Sequence, residues 1–268
     1  MNALCAMTGL SRAGFYRWRV PPQATPLEME LRDEMQKAAL EYPAYGSRKM
    51  TAELKRRGFS VGRKRVRRMM RQDNLLCIRR RAFVTTTNSR HSLPVYPNLA
   101  RQVTPTAINQ LWVADITYIR LRTEFVYLAV VLDTFSRRVI GWALGRTLEA
   151  ELALTALRMA VIERGPAPGL VHHSDRGVQY ACGDYTDLLK EHGITISMSR
   201  KGNPYDNAAC ESFMKTLKYE EVYRNEYRDF PDVQAAIGEF LDHVYNQKRL
   251  HSALGYVPPA EFENGAAS

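Results

Sequence analysis

Apolar residues recur every three or four positions over the first part of the chain, which is the period of an α-helix with one buried face. Four segments follow this period: 3–19, 27–41, 48–57 and 63–73. In the last of them, Val66, Met69 and Met70 stand at positions i, i+3 and i+4 and form one apolar stripe. A proline-rich linker separates the first two segments. The pattern predicts an all-α region with helix-turn-helix spacing.

From residue 110 onward the apolar pattern changes to short runs that are typical of β-strands. The predicted strands span 111–121, 125–133, 138–145, 170–174 and 194–198. The predicted helices span 149–164 and 183–192, and a further helix begins shortly before Glu211. The order β-β-β-α-β-α-β-α predicts an α/β fold with one mixed sheet and helices on both faces. This order resembles that of the ribonuclease H-like fold.

Positive charge is concentrated in the first part of the chain. The 268 residues include 38 Lys and Arg against 28 Asp and Glu, which gives a formal net charge of +10. Residues 1–101 contain 21 basic and 7 acidic residues, whereas the rest of the chain contains 17 and 21. This segregation indicates that the first region holds a polyanion on which the second region acts.

The segment 63–73 carries much of this charge. Its apolar stripe leaves the remaining helix surface to basic side chains, and Arg79, Arg80 and Arg81 follow closely. A solvated cationic helix face and a surface that binds DNA phosphates are both consistent with the pattern. Nine basic residues within 63–81 favour the DNA-binding surface. We expect the DNA contacts to come from five residues: Arg63, Lys64, Arg67, Arg68 and Arg71.

The sequence has no signal for membrane insertion, secretion or zinc binding. The longest apolar run, Phe125 to Leu132, is too short to cross a bilayer and is typical of a buried strand. The start of the chain lacks the segments of a signal peptide. The four cysteines are widely scattered and form no Cys-x-x-Cys pair. We therefore expect a cytoplasmic protein without membrane contact and without zinc.

Three carboxylates occupy positions that suit a metal-dependent phosphoryl-transfer site. Asp115 lies inside the first predicted strand, Asp175 ends the fourth, and Glu211 lies near the start of a helix. A charge inside an apolar strand is costly unless a cation pairs with it. Because three such carboxylates would repel one another, a bound divalent cation is the simplest explanation for them.

Four other side chains are weaker candidates for this site. Asp133 precedes a polar turn, and Asp206 is more simply explained as a cap for the helix of Glu211. His172 and His173 are adjacent on a strand and point to opposite faces, so at most one of them could face a metal. We expect both histidines to have positional or core roles.

Several motifs resemble those of known DNA-rearranging enzymes. Four segments are similar to the retroviral-integrase-type core: Trp112–Tyr118, Leu132–Arg137, His173–Gly177 and Asn203–Phe213. Three more extend the match to the second-reading-frame transposases of the bacterial IS3 insertion-sequence family: Tyr45–Arg48, Tyr245-Asn246 and Arg249–Tyr256. The resemblance covers almost the whole chain.

The resemblance implies that Asp115, Asp175 and Glu211 form a DDE triad with two Mg²⁺ ions, for which Mn²⁺ can substitute. It implies that water first frees a 3′-hydroxyl at the element end, and that this hydroxyl then attacks a second phosphodiester. Lys215 and Lys218 stand at the offsets from Glu211 at which integrase cores carry lysines beside the DNA. The implied partners are double-stranded DNA of element ends and target, further copies of this chain, and an upstream-frame product partnered with or fused to it.

Five regions are expected along the chain. They are a partial helix-turn-helix at 1–20, a basic helix-turn-helix-like DNA-binding domain at 27–81, a linker at 82–106, a catalytic core at 107–225, and a C-terminal helical extension at 226–268. Two other functions compete with a transposase: a catalytically silent DNA-binding regulator of transposition and a tyrosine recombinase. The intact triad argues against the regulator. The sequence shows no set of arginines around a nucleophilic tyrosine, which argues against the recombinase.

Overall fold

The computed structural model of the chain describes residues 11, 26–75, 93–199 and 207–266. The chain divides into two compact units, Met1–Cys77 and Ile78–Ser268. The predicted helix at 3–19, the three arginines at 79–81 and the cap Asp206 lie outside the described residues. No helix within the described ranges is long and apolar enough to cross a bilayer. The boundaries of the five expected regions stay predictions.

The first unit contains three helices at the predicted positions. They are α1 (Pro26–Glu41), α2 (Ser47–Arg56) and α3 (Arg63–Gln72). Each begins and ends within a residue of the prediction, because the apolar stripes that defined the prediction are the buried faces. Val66, Met69 and Met70 of α3 are buried together with Met35 of α1 and Leu54 of α2.

The second unit contains one five-stranded mixed sheet. Its strands are β1 (Leu111–Arg120), β2 (Phe125–Asp133), β3 (Val139–Gly145), β4 (Val171–Ser174) and β5 (Thr195–Met198). The strand order is β3-β2-β1-β4-β5, with β1, β2 and β3 antiparallel and with β4 and β5 parallel to β1. The predicted strand positions and the mixed sheet are confirmed, and β1 is the central strand.

Helices cover both faces of this sheet, as predicted. One face carries α4 (Ala150–Arg164), α5 (Val178–Ala181) and α6 (Gly183–Glu191). The other face carries α7 (Ala208–Leu217), α8 (Phe230–Glu239) and the residues that follow α8. Because neighbouring side chains of a strand point to opposite faces, Trp112 and Ile116 of β1 pack with the first group and Val113 and Ile119 pack with the second.

Two π-helical segments were not predicted from the sequence. The first π-helix (Lys218–Val222) directly follows α7, and the second π-helix (Phe240–Lys248) directly follows α8. In the first, the Tyr223 N–H donates to the Lys218 carbonyl oxygen at 2.8 Å, which is the i to i+5 bond of a π turn. Such turns are rare and occur frequently at functional sites.

Buried ion pairs hold the last helix, α9 (Pro259–Ala266), to the sheet unit. Glu263 lies 2.8 Å from Arg138 and 2.6 Å from Arg164, and its side chain is 8% exposed. Residues near 97–100, which were predicted to be linker, also contact the sheet, since the Leu99 N–H donates to the Ser197 hydroxyl of β5 at 2.9 Å. Segments before and after the expected core therefore pack directly on it.

Gly141 of β3 lies directly against α4, and its replacement tests this packing. A Cβ there would lie 2.2 Å from the Ala156 carbonyl oxygen and 2.8 Å from the Ala160 backbone nitrogen. Since the backbone of a packed helix cannot move aside, we expect Gly141→Ala to lower the free energy of unfolding by about 3 kcal/mol or more. Chemical denaturation measures the change. The control is Gly183→Ala, where a Cβ meets no atom within 4 Å; equal stability of the two variants would contradict the close packing.

Candidate active site

Asp115 is a carboxylate in the middle of the central strand. Its neighbours Ala114 and Ile116 are buried, and its Oδ1 accepts a hydrogen bond from the Ile116 N–H at 2.9 Å. By strand alternation, Asp115 points to the same face as Val113 and Ile119, which is the face that α7 covers. The strand therefore places one negative charge in largely apolar surroundings.

Asp175 directly follows β4, which lies parallel to β1. Val113 of β1 pairs with His173 of β4, so extending this register by two residues aligns Asp115 with Asp175. Strand pairing itself thus brings the two carboxylates to the same end of the sheet. The Asp175 Oδ1 accepts a hydrogen bond from the Gly177 N–H at 2.8 Å, which fixes the carboxylate in the turn after the strand.

Gly177 leaves little room for a side chain beside the Asp175 carboxylate. A Cβ at position 177 would lie 2.9 Å from the Asp175 Oδ1 and 3.0 Å from the Gln179 Oε1. A larger residue would therefore require the side chain of Asp175 or Gln179 to shift. The motif quoted above contains this glycine, but its reason becomes visible only with the distances.

Glu211 lies in the first turn of α7 and is half-buried. Asn207, which precedes α7, donates from its Nδ2 to the Ala114 carbonyl oxygen at 3.3 Å. Ala114 directly precedes Asp115, so this bond ties the start of the helix to β1 beside the first carboxylate. Glu211 follows one helical turn after Asn207.

The three carboxylates act on one another electrostatically. Burial, the largest cause, raises the pKa of Asp115 from its ordinary value of 3.8 to about 7. The charge of Asp175 adds to this rise and that of Glu211 adds less, whereas the Ile116 N–H and the Lys218 ammonium oppose it. An ionised Asp115 is therefore unfavourable until a cation compensates it.

The donor chemistry of Asp115 and Asp175 fits a divalent cation, because carboxylate oxygens are the ligands that Mg²⁺ and Mn²⁺ prefer. In the part of the chain that the structure describes, no group of three or more His, Cys, Asp or Glu side chains is arranged to hold a metal ion. The structure thus aligns Asp115 with Asp175, while Glu211 acts on Asp115 through its charge. The assignment of all three to one metal site stays a prediction.

The two predicted lysines have different surroundings. Lys215 is exposed on α7. Lys218 is half-buried at the start of the first π-helix, and its Nζ lies 4.6 Å from the centre of the Tyr118 ring. Burial lowers the pKa of Lys218, and the charge of Asp115 partly offsets this effect. Lys218 therefore lies near the first carboxylate.

Three of the four weaker candidates lie in the described residues, and all three are buried and hydrogen-bonded within the fold. Asp133 is fully buried and accepts hydrogen bonds from three backbone N–H groups, so it holds the turn after β2. The His173 Nδ1 lies 2.8 Å from the Ser197 hydroxyl, and the His172 Nε2 lies 3.0 Å from the Tyr185 hydroxyl. Both histidines are fully buried, which confirms the expected positional and core roles.

The basic surface of the first unit lies on α3. Its five predicted DNA-contacting residues are all exposed: Arg63, Lys64, Arg67, Arg68 and Arg71. The remaining basic residue of the helix, Arg65, is half-buried and lies 3.7 Å from Glu28 of α1. The apolar stripe packs inward, so the five charges form one outward-facing row that is suited to phosphates.

Comparison with protein families gives three matches. Residues 105–204 and residues 192–259 each match an Integrase core domain, and residues 26–83 match an HTH-like domain. The second of these matches crosses the expected boundary at 225, in agreement with the packing of the C-terminal residues on the sheet.

Individual proteins are similar over nearly the full chain. The "Insertion element IS600 uncharacterized 31 kDa protein" of Shigella sonnei is 40% identical over 266 residues, which cover 97% of each chain. "Transposase InsF for insertion sequence IS3A" of Escherichia coli (strain K12) is 34% identical over 270 residues, which cover 98% of this chain and 94% of InsF.

Among solved structures, a chain of the simian T-cell lymphotropic virus intasome in complex with PP2A regulatory subunit B56 gamma aligns with a TM-score of 0.50. It covers 87% of this chain and 74% of the viral chain at 16% sequence identity. At this identity the similarity shows a shared fold.

The pH dependence of the free energy of unfolding tests the burial of His172, which lies on β4 shortly before Asp175. Burial, followed by the charge of His173, lowers the pKa of His172 from 6.5 to about 3. Between these values the unfolded chain binds a proton that the folded protein does not bind. We therefore expect the free energy of unfolding to fall as pH decreases through this window, with His172 contributing up to about 1.4 kcal/mol per pH unit.

Chemical denaturation between about pH 7 and about pH 4.5 measures this dependence. His172→Gln should reduce the slope of the free energy of unfolding against pH by the contribution of one proton. His243→Gln is the control, because the His243 side chain is 53% exposed and its replacement removes a histidine without removing a buried side chain. A His172→Gln variant with the slope of the unmodified protein would show that His172 is protonated in the folded state.

Proposed function

The chain belongs to the IS3 family of insertion-sequence transposases, and on this premise we propose that Asp115, Asp175 and Glu211 are its catalytic, metal-binding carboxylates. The family makes the protein a transposase, an enzyme of the polynucleotidyl transferase type. The observation that carries the proposal is Asp115, a half-buried carboxylate in an apolar strand, whose pKa is raised by desolvation and by the charges of the other two carboxylates.

The cofactor of the proposed site is Mg²⁺, with Mn²⁺ as a substitute. Two such ions would supply Lewis-acid activation of the attacking oxygen and stabilisation of the leaving oxygen. Asp115 and Asp175 provide the aligned carboxylates, and Gly177 holds the second of them in place. Glu211 completes the donor set from α7, which Asn207 ties to β1.

The proposed reaction exchanges one phosphodiester for another. Water attacks at the end of the element and frees a 3′-hydroxyl, and this hydroxyl then attacks a phosphodiester of the target DNA. No ATP is needed, because the number of phosphodiester bonds is conserved in the second step. Lys215 and Lys218 contact the DNA end, and the Lys218 ammonium is directed to this place by its position above Tyr118.

The DNA-binding surface of the first unit is the exposed row on α3. Its five residues are Arg63, Lys64, Arg67, Arg68 and Arg71. The match of residues 26–83 to an HTH-like domain supports a duplex DNA partner. Phosphate contacts from this row would hold the element ends while the sheet unit acts on them.

Further partners follow from the same proposal. Two element ends and a target must meet during strand transfer, so several copies of the chain act together on DNA. An upstream-frame product, partnered with or fused to this chain, is a further proposed partner. The enzyme works in the bacterial cytoplasm, at the nucleoid, without membrane contact.

Charge removal at each carboxylate tests the catalytic assignment. Asp115→Asn, Asp175→Asn and Glu211→Gln keep the side-chain shape but remove the charge that binds the cation. Each is expected to lower cleavage and strand transfer with Mg²⁺ by roughly 100-fold or more, while duplex binding stays close to that of the unmodified protein. Gel assays of labelled element ends measure both steps.

The control for these variants is Glu226→Gln, whose exposed carboxylate pairs only loosely with Arg122 at 3.6 Å. It should cleave at the normal rate. Near-normal turnover of any one of the three site variants would remove that residue from the catalytic set.

Salt dependence tests the proposed surface on α3. Replacing Arg63, Arg67 and Arg68 together by Gln should weaken duplex binding. It should also make the fall of log K with log salt less steep, by about 0.9 for each lost phosphate contact. The control is Lys37→Gln on α1, because the Lys37 ammonium already pairs with Asp33 at 2.7 Å. An unchanged slope in the triple variant would mean that the α3 surface is only solvated.

A further inference from the structure

Arg249 is a buried cation outside the carboxylate site. It is 7% exposed, and its Nε and Nη2 lie 2.7 Å from the two carboxylate oxygens of Glu220. Its Nη1 lies 3.2 Å from the His251 Nε2, and its guanidinium carbon lies 5.7 Å from the centre of the Tyr245 ring. A bidentate pair of this kind fixes both the position and the orientation of the carboxylate.

The guanidinium of Arg249 contacts the chain on both sides of Lys218. Glu220 lies two residues after Lys218 in the first π-helix, and Thr216 lies two residues before it in α7. The Thr216 hydroxyl is 3.3 Å from the Arg249 Nη2. Arg249 directly follows the second π-helix, so its contacts join the two π-helical segments.

The π turn after α7 requires such support. It is wider than an α turn and is rare, so we expect tertiary contacts to hold it in place. If the π turn relaxed into an α turn, the register of the helix would shift. The side chains that follow would then rotate about the helix axis by roughly 100° for each residue of the shift. Glu220 cannot rotate in this way while both of its oxygens stay bonded to Arg249.

The Lys218 ammonium, whose position depends on the π turn, lies beside the carboxylate site. The Lys218 Nζ is 4.6 Å from the centre of the Tyr118 ring, on the strand that also carries Asp115. The backbone from which Lys218 projects is held on one side by Thr216 and on the other by Glu220. A single side chain, Arg249, therefore restrains both.

We propose that Arg249 is a positioning residue of the transposition reaction. Its bonds to Glu220 and Thr216 maintain the π turn that directs Lys218 toward Asp115 and toward the DNA end at that place. The inference rests on the proposed function, since Lys218 gains its role from that DNA end. Arg249 acts through Lys218 and touches neither the DNA nor the carboxylate site.

A spectroscopic signature tests the geometry independently of activity. Lysines of the full-length protein are converted to ¹³C-dimethyl-lysines and observed by NMR, and Lys218→Arg assigns the signal of position 218. The Tyr118 ring should shift this signal upfield from those of exposed lysines such as Lys190. Arg249→Lys keeps the charge but cannot form the bidentate pair, so the Lys218 signal should move to the position of the exposed lysines.

Arg164→Lys is the matched control, because Arg164 forms another buried ion pair, with Glu263 at 2.6 Å. It should destabilise the fold without moving the Lys218 signal. An unmoved signal in Arg249→Lys, or an equal movement in Arg164→Lys, would overturn the proposal. Thermal melting of both variants establishes that they are compared in the folded state.

A double-mutant cycle tests the effect on the reaction. Arg249→Lys should slow cleavage of a duplex carrying the element end by roughly tenfold in the unmodified background, and it should cause no further loss in a Lys218→Met background. Equal losses in the two backgrounds would overturn the proposal, as would full activity of Lys218→Met alone. If Asp115→Asn cleaved normally, the proposed function would fail, but the NMR signal would still report whether Arg249 positions Lys218.

Discussion

A half-buried carboxylate in the central strand of the sheet is the constraint on which the rest of the proposed site depends. Asp115 lies between buried neighbours and next to Asp175, and burial raises the pKa of its carboxyl to about 7. Strand pairing aligns this carboxylate with that of Asp175, so the repulsion between the two is built into the fold. A bound cation would offset this repulsion.

The surrounding contacts maintain that arrangement from several elements. Gly177 orients Asp175, Asn207 ties the helix of Glu211 to β1, and Lys218 brings a positive charge close to Asp115. The contacts of Asn207 and Lys218 join segments that lie far apart in the sequence. The proposed active site therefore depends on contacts between distant parts of the second unit, and the inferred role of Arg249 extends this dependence to C-terminal residues.

The sequence predicted the elements well and their mutual contacts poorly. Helix bounds in the first unit and strand bounds in the second could be read from apolar periodicity, because burial of one face is a local property of each segment. The three carboxylates could be proposed as a set because the strand and helix positions that they occupy can also be recognised locally. The π turn at Lys218 and the hydrogen bond that Arg249 donates to Glu220 could not be predicted. The two bonded residues are 29 positions apart, and such a contact leaves no periodic signal in the sequence. The exposed basic face of α3 was predictable from the apolar stripe on the opposite side of the helix. The ligand of this face has to be identified by experiment.

The most direct test of a cation between Asp115 and Asp175 is a titration of the full-length protein with Mn²⁺, followed by electron paramagnetic resonance of the free ion. The unmodified protein and Glu226→Gln should bind Mn²⁺ with the same affinity. Asp115→Asn and Asp175→Asn should each weaken binding by more than roughly tenfold. Unchanged Mn²⁺ affinity in both variants would show that the aligned carboxylates do not hold the metal.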